Sequence, residues 1–237
     1  MEPGILYVVA TPIGNREDIT VRALRVLNEV DLIAAEDTRT TGRLLNYYNI
    51  KKPLTSYFEH NEQRKTPSLI RRLMEGARIA LVSEAGTPGI SDPGYRMVIA
   101  ALAHGIAVVP IPGPCAAVTA LSVAGLPTHR FAFEGFLPPK SGKRKNMLKT
   151  LVAEERTLVF YESPHRIMGC LADMLEIFGD RTAFLAREIT KQYEEHIRGT
   201  LSHIVRTLHA SPVRGEITLL VAGAGKHARQ QVIDKND

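Results

Sequence analysis

Five short apolar runs alternate with helical patterns along the first half of the chain, and that rhythm excludes most architectures. The runs cover residues 6–10, 32–35, 54–58, 79–82 and 106–111. Between them apolar residues recur at helix spacing: Val21, Leu24, Leu27 and Val30; Leu44, Leu45 and Tyr48; Leu69, Ile70, Leu73 and Met74; Val98, Ile99 and Leu102. Strands separated by single helices and short linkers build a parallel sheet covered on both faces. After Leu126 and Pro127 the texture changes. Strands are expected at 131–136, 157–161, 183–186, 195–198 and 216–221, with one helix facing inward through Ile167, Leu171, Leu175 and Phe178. Strand–strand steps dominate there, so this sheet is expected to be mixed. The predicted fold is two α/β domains, residues 1–126 and 127–237.

The segment 83–94 reads Ser-Glu-Ala-Gly-Thr-Pro-Gly-Ile-Ser-Asp-Pro-Gly and follows a buried strand. Its glycines permit backbone conformations that other residues resist, and its prolines restrict the rest. A stiff, Gly-rich loop at the carboxyl end of a strand is where α/β sheets bind small ligands. A turn residue followed by Pro recurs at Asp92-Pro93, Gly113-Pro114 and Ser163-Pro164. Each pair predicts a helix with Pro in its first position. Asp18 or Thr20 is expected to cap the first helix.

Several chemistries are excluded by what the motifs lack. No GxGxxG follows the first strand, and in Gly223-Ala224-Gly225-Lys226 the next residue is His227, not the Ser or Thr of a P-loop. That stretch reads as a terminal turn. No HExxH or Cys/His cluster has metal spacing, so no metal is expected. Two cysteines, Cys115 and Cys170, cannot build a disulfide framework and fit a reducing cytoplasm. No apolar run reaches the ~20 residues of a membrane span, and no signal peptide is expected ahead of the first strand. The net charge of +5 permits an anionic partner such as RNA. With no Trp and 6% aromatic residues, a stacking platform is not obvious.

Polar clusters sit at the expected strand ends. Glu36, Asp37, Thr38 and Arg39 follow the second strand; His60, Asn61 and Glu62 follow the third. A helix cap explains Asp37 or Thr38 but not Glu36 and Arg39 beside them. Lys140, Lys143, Arg144, Lys145 and Lys149 form a basic, flexible loop which, with Arg64, Lys65, Arg71 and Arg72, could contribute to an RNA footprint.

These stretches together resemble a known family. The chain is similar to the tetrapyrrole-methylase superfamily, and within it to the ribosomal RNA small-subunit methyltransferase I group. The resemblance rests on 10–15, 35–39, 60–62, 83–94, 110–117, 134–138, 160–166 and 186–188, in family order. It implies two α/β domains with S-adenosylmethionine (SAM) in a cleft between them, a homodimer, and 2′-O-methylation of a cytidine in the decoding region of small-subunit rRNA. It places the cofactor near Thr11, Pro12, Gly86, Thr87, Pro88, Ile90, Cys115 and Ala116, with backbone near Tyr161, Ala186, Ile217 and Thr218. Glu84 stands where the group more often has Asp. Many relatives carry a further basic helical extension that these 237 residues do not include.

A ribose hydroxyl needs alignment with the methyl carbon and a proton acceptor. Glu36, Asp37 and Glu62 are the expected base or orienter. Arg39 and Arg187 are expected to hold RNA phosphate, and His60, Asn61, Lys143, Arg144 and Lys145 to line the substrate path. The partner would be rRNA or the assembled small subunit, in the cytoplasm. Two other readings remain: methylation of a tetrapyrrole such as a precorrin or uroporphyrinogen, and a non-catalytic SAM-binding module on the ribosome.

Overall fold

A computed structural model of the chain describes residues 2–210 and 213–225. Its first sheet is built from β1 (Ile5–Val9), β2 (Leu32–Ala35), β3 (Leu54–Ser56), β4 (Ile79–Val82) and β5 (Ala107–Ile111). The order is β3-β2-β4-β1-β5 and every pair is parallel. β2 and β4 are buried at every position, as central strands covered on both faces must be. β5 lies at an edge and exposes Pro110, whose missing N–H blunts pairing by a further strand.

Helices α1 (Val21–Glu29) and α2 (Thr38–Tyr47) bury Ala23, Val26, Leu27 and Leu45 against one face. Helices α3 (Glu62–Met74) and α4 (Tyr95–Ala103) bury Leu69, Ile70, Leu73, Met97 and Ala101 against the other. β1 sends its helix one way across the sheet and its neighbour β4 sends α4 the other way. The gap between their carboxyl ends is therefore the topological switch point, the crevice where open α/β sheets bind ligands.

The second sheet has order β6-β7-β10-β8-β9: β6 (Phe131–Phe136), β7 (Thr157–Glu162), β10 (Ile217–Val221), β8 (Thr182–Arg187) and β9 (Glu195–Thr200). β6 and β7 run parallel and the remaining pairs antiparallel, so the sheet is mixed, as expected. Helices α6 (Ser141–Thr150), α7 (Ile167–Phe178) and α8 (Leu201–His209) cover one face through Leu148, Ile167, Leu171, Met174, Leu201 and Ile204. α5 (Ala116–Val123) packs against β7 and β10.

The chain divides into two compact units, Met1–Cys115 and Ala116–Asp237, with α5 packed on the second sheet. Several expectations about helix ends are corrected. None of the three prolines opens a helix: α4, α5 and α7 begin at Tyr95, Ala116 and Ile167, after Pro93, Pro114 and Pro164. The prolines stiffen the loops instead. Asp92 is not the cap of α4; Gly94 stands there. Thr20, not Asp18, caps α1 by accepting from the Ala23 amide at 3.1 Å. Val21 is 83% exposed, and Ala23 and Val26 take the inner face expected of it. α8 was not foreseen. Lys226 and His227 lie outside the described residues.

The Lys-rich segment is helix, not flexible loop. Arg144 is buried and donates from Nε to Asp173 Oδ2 at 2.6 Å, while Ser141 Oγ donates to Asp173 Oδ1 at 2.9 Å. This clasp joins α6 to α7. Removing one partner strands a buried charge, whereas replacing both with apolar residues need not destabilise. Arg144→Ala is therefore expected to lower stability by about 3 kcal/mol, and the double change Arg144→Met with Asp173→Leu to recover most of it. Urea unfolding followed by tyrosine fluorescence reads both, since the chain has no Trp.

Candidate functional site

The switch-point crevice is closed by backbone. The Thr11 amide donates to the Gly86 carbonyl at 2.9 Å, and the Gly86 amide returns a bond to Thr11 at 3.0 Å. The pair forms an isolated antiparallel bridge between the loops that leave β1 and β4. Ser83, buried, turns its hydroxyl toward the Ala85 and Gly86 carbonyls at 3.3 Å each. The Thr87 hydroxyl donates to the Pro114 carbonyl at 3.1 Å and so ties the loop after β5 to the same assembly. Gly86 has φ +81°, and a Cβ there would meet Ile13 Cγ2 at 3.3 Å. Gly113 lets the β5 loop approach β1, since a Cβ would sit 2.9 Å from the Cβ of Ala10.

This cradle fixes the roles open to the residues expected to hold a cofactor. Thr11, Gly86 and Pro88 are buried and act as framework. Pro12, Thr87 and Cys115 are partly exposed, and Ile90 is 44% exposed beyond a tight turn. The surface they leave is backbone, hydroxyl and aliphatic, without a cluster of cationic donors. It fits a nucleoside or a sulfonium better than a polyphosphate. Ser83 and Pro114 were not among the expected site residues; Ser83 bonds to backbone carbonyls and Pro114 accepts on its own, which side-chain type does not advertise.

Beside the cradle, Glu36 accepts the Glu84 amide on Oε2 at 3.0 Å, linking the ends of β2 and β4. Asp37 caps α2, accepting from the Arg39 amide at 2.7 Å and from the Arg39 guanidinium at 3.0 Å. The Arg39 side chain, then its amide, hold the Asp37 carboxyl down at about 2. So weak a base is poorly matched to proton abstraction near neutrality. Glu62 is held elsewhere, by Arg96 of α4 at 3.1 Å. The structure thus brings Glu36, Asp37, Arg39 and Glu84 together, and engages Glu62 in a helix–helix tie.

The residues expected to touch substrate divide in the same way. Asn61 is buried, accepting from the Phe58 amide at 2.9 Å and donating to Ser56 Oγ at 3.2 Å; it pins the loop rather than facing a ligand. His60 is exposed, its ring edge-on to Phe58. Arg144 is removed from any exposed footprint by its clasp with Asp173. Lys145 is bound to Glu176 at 2.6 Å, and Glu176 raises its ammonium above the usual lysine value. Lys143 remains exposed. Arg187 is paired with Glu195 at 2.6 Å and donates to the Arg214 carbonyl.

In the second unit the expected positions fall on neighbouring rows of three inner strands. Tyr161, Thr218 and Ala186 share a register row across β7, β10 and β8, and Ile217 lies opposite Glu162 and Arg187. Tyr161 packs its ring against Phe133 at 4.9 Å, and its hydroxyl accepts the Ala117 amide of α5 at 3.1 Å. Among the described residues no three His, Cys, Asp or Glu side chains gather as a metal site, and no helix is long and apolar enough to cross a membrane.

A parallel α/β unit with its switch point closed into a neutral cradle, followed by a mixed α/β unit, defines a two-unit α/β protein built to hold a small organic ligand. Residues 5–205 match the family described as Tetrapyrrole (Corrin/Porphyrin) Methylases. The chain is 51% identical over 232 residues to the ribosomal RNA small subunit methyltransferase I of Halalkalibacterium halodurans, covering 98% of this chain and 80% of that one. It is 49% identical to the protein of the same description from Thermotoga maritima, covering 93% of this chain and 99% of that one. Among solved structures, the uroporphyrin-III C-methyl transferase of Thermus thermophilus, complexed with S-adenyl homocysteine, superposes with a TM-score of 0.64 at 20% identity, over 96% of this chain and all of that one. The chain belongs to the tetrapyrrole methylase family.

Asp37 gives a direct test of the cap geometry. A depressed folded-state value means that the cap's contribution is present above the ordinary value near 3.8 and is lost as pH falls through about 2. Carbon-13 NMR of the Asp37 carboxyl is expected to show a midpoint near 2 in the wild type and a return toward the ordinary value in Arg39→Ala. An ordinary midpoint in the wild type would contradict the geometry.

Proposed function

We propose that the chain is a SAM-dependent methyltransferase that methylates the 2′-hydroxyl of a cytidine in the decoding region of small-subunit rRNA. The observation that carries this reading is identity of about one half, sustained along nearly the whole chain, to proteins described as ribosomal RNA small subunit methyltransferase I. Likeness to the uroporphyrin-III methyltransferase supports the fold alone at 20% identity, so the tetrapyrrole reading is the weaker one. The enzyme works in the cytoplasm as a homodimer, whose second copy would double the basic surface offered to a large RNA.

SAM, when bound, supplies a sulfonium methyl that a hydroxyl nucleophile can accept. Pro12, Thr87, Ile90 and Cys115 line its place, Thr11, Gly86 and Pro88 hold the framework, and Ala116, Tyr161, Ala186, Ile217 and Thr218 contribute backbone. The bridge between Thr11 and Gly86 keeps the crevice formed before a ligand arrives, so little ordering is left for the binding step. Holding a ribose hydroxyl in line with the methyl carbon supplies most of the acceleration. Of the three carboxylates considered as proton acceptor, Glu36 stands best. It commits Oε2 to the Glu84 amide and keeps a second oxygen at the strand edge, whereas Asp37 is too acidic and Glu62 is tied to Arg96. Arg39 and Lys143 hold phosphate, with His60 beside the path.

Two experiments test the reading. Isothermal titration with S-adenosylhomocysteine should give one site per protomer, and ribose-methyl mapping of rRNA from a deletion strain should lose one 2′-O-methylcytidine that purified protein restores on small subunits. An unchanged map together with methyl transfer to a tetrapyrrole in vitro would replace the substrate; cofactor and RNA binding with no transfer at saturation would leave a non-catalytic module. The role of Glu36 separates in a pair of variants. Glu36→Gln keeps an acceptor for the Glu84 amide, so cofactor affinity should hold while turnover falls by roughly a hundredfold. Glu36→Ala should lose affinity as well. Wild-type turnover in Glu36→Gln would remove Glu36 as the base.

A further inference from the structure

From residue 38 to residue 58 the chain carries Arg39, Arg43, Lys51 and Lys52 and no Asp or Glu; Asp37, just before, pairs with Arg39 but leaves its side chain 86% exposed. In the basic segment of α6, Arg144 and Lys145 are taken up by Asp173 and Glu176 of α7. Along α2, Arg39, Arg43 and Tyr47 recur every four residues. Each therefore lies ~6 Å further along the axis and about 40° further round, which makes one continuous ridge. All three are exposed, Tyr47 by 55%. Arg43 donates to Thr40 Oγ1 at 3.2 Å, which steadies a guanidinium that makes no ion pair among the described residues.

The far end of the ridge is different. The Arg16 guanidinium lies over the Tyr47 ring, 4.5 Å from its centroid, and the Tyr48 ring meets Tyr47 edge-on at 4.9 Å. The Tyr48 hydroxyl donates to the Arg16 carbonyl at 2.6 Å, which anchors the turn that carries Arg16. Glu17 and Asp18 follow Arg16 in that turn, so this end has no charge surplus to offer a phosphate. An aromatic ring braced by an arginine plane suits an unstacked base instead. The ridge begins at Arg39, beside Glu36 and the cradle.

We propose that the exposed face of α2 is the docking surface for a single-stranded segment of the RNA substrate, with Arg39 and Arg43 on successive phosphates and Tyr47, braced by Arg16, as a stacking platform for a base. The proposal rests on the reading of the chain as an RNA methyltransferase and names the surface that leads the strand to its site. Stacking on one ring and contact to one phosphate act differently, and that difference makes the roles separable. A phosphate contact adds to the salt dependence of binding, and a stacked base does not.

The test is binding of the full chain to a fluorescein-labelled single-stranded RNA and to purified small ribosomal subunits, across a salt series. Tyr47→Ala and Arg43→Gln should each weaken binding roughly tenfold. Arg43→Gln should also reduce the slope of log affinity against log salt by about 1, and Tyr47→Ala should leave that slope alone. Tyr47→Phe should restore binding. Arg25→Gln, on α1, should bind as wild type, and all variants should keep the wild-type unfolding midpoint and S-adenosylhomocysteine affinity. Wild-type affinity in both Tyr47→Ala and Arg43→Gln, or equal binding of duplex RNA, would overturn the ridge even if the protein methylates rRNA. A wild type that binds subunits and transfers no methyl would instead remove the methyltransferase reading, while the binding comparison still decides the ridge.

Discussion

Two backbone hydrogen bonds between Thr11 and Gly86 hold the loops of neighbouring strands together, and the geometry of the first unit follows from them. Each is worth only about 1 kcal/mol net, but both ends are anchored in strands that are themselves buried. The bond from Thr87 to Pro114 brings in a third strand end. Such a bridge requires the chain to reverse within a few residues of β4, which is why Gly86 takes a positive φ and why Gly113 has no Cβ to press on Ala10. The prolines read as helix openers do a different task. By stopping short of the helices, Pro93 and Pro114 keep the crevice walls stiff without committing helix N-termini to a ligand.

That distinction separates this crevice from a phosphate site. Phosphate loops aim free N–H groups and a helix dipole at an anion. Here the amides of Thr11, Gly86 and Glu84 are spent on the Gly86 carbonyl, the Thr11 carbonyl and the Glu36 carboxylate. A sulfonium and a nucleoside carry no phosphate, so a crevice with few free N–H groups suits them better than it suits a nucleotide polyphosphate. The missing GxGxxG and P-loop are therefore what a chain with this ligand would lack.

Strands and the parallel character of the first sheet were legible because buried parallel strands leave unbroken apolar runs, as at Ile79–Val82; the order β3-β2-β4-β1-β5 was not. Helix starts were not, because Pro serves a first helical turn and a rigid loop equally well. α8 was missed although Thr200 caps it and Leu201, Ile204 and Leu208 mark its face; a nine-residue helix after a strand gives a short signal. The site was legible as a set of strand ends, not as roles. Asn61, Arg144 and Arg187 have the residue types of a nucleic-acid site, yet the structure spends them on Ser56 and Phe58, on Asp173 and on Glu195. Only neighbours distant in sequence decide which cations stay available.

The same reasoning inverts the weight of the basic segments. Lys140 to Lys149 looks like the strongest anion-binding run in the sequence, but helical register turns Arg144 inward and sets Lys145 against acids on α7. Arg39, Arg43 and Tyr47 look unremarkable in sequence, spaced among threonines and leucines. Helical register places them on one exposed line, where Asp37 pairs with Arg39 at 3.0 Å but Arg43 makes no ion pair among the described residues. Local charge density is therefore a poor guide to an RNA surface in this chain. The proposed ridge has instead an unpaired Arg43 among the described residues, an Arg39 that stays exposed although Asp37 pairs with it, and an aromatic residue kept out of the core at the cost of its burial.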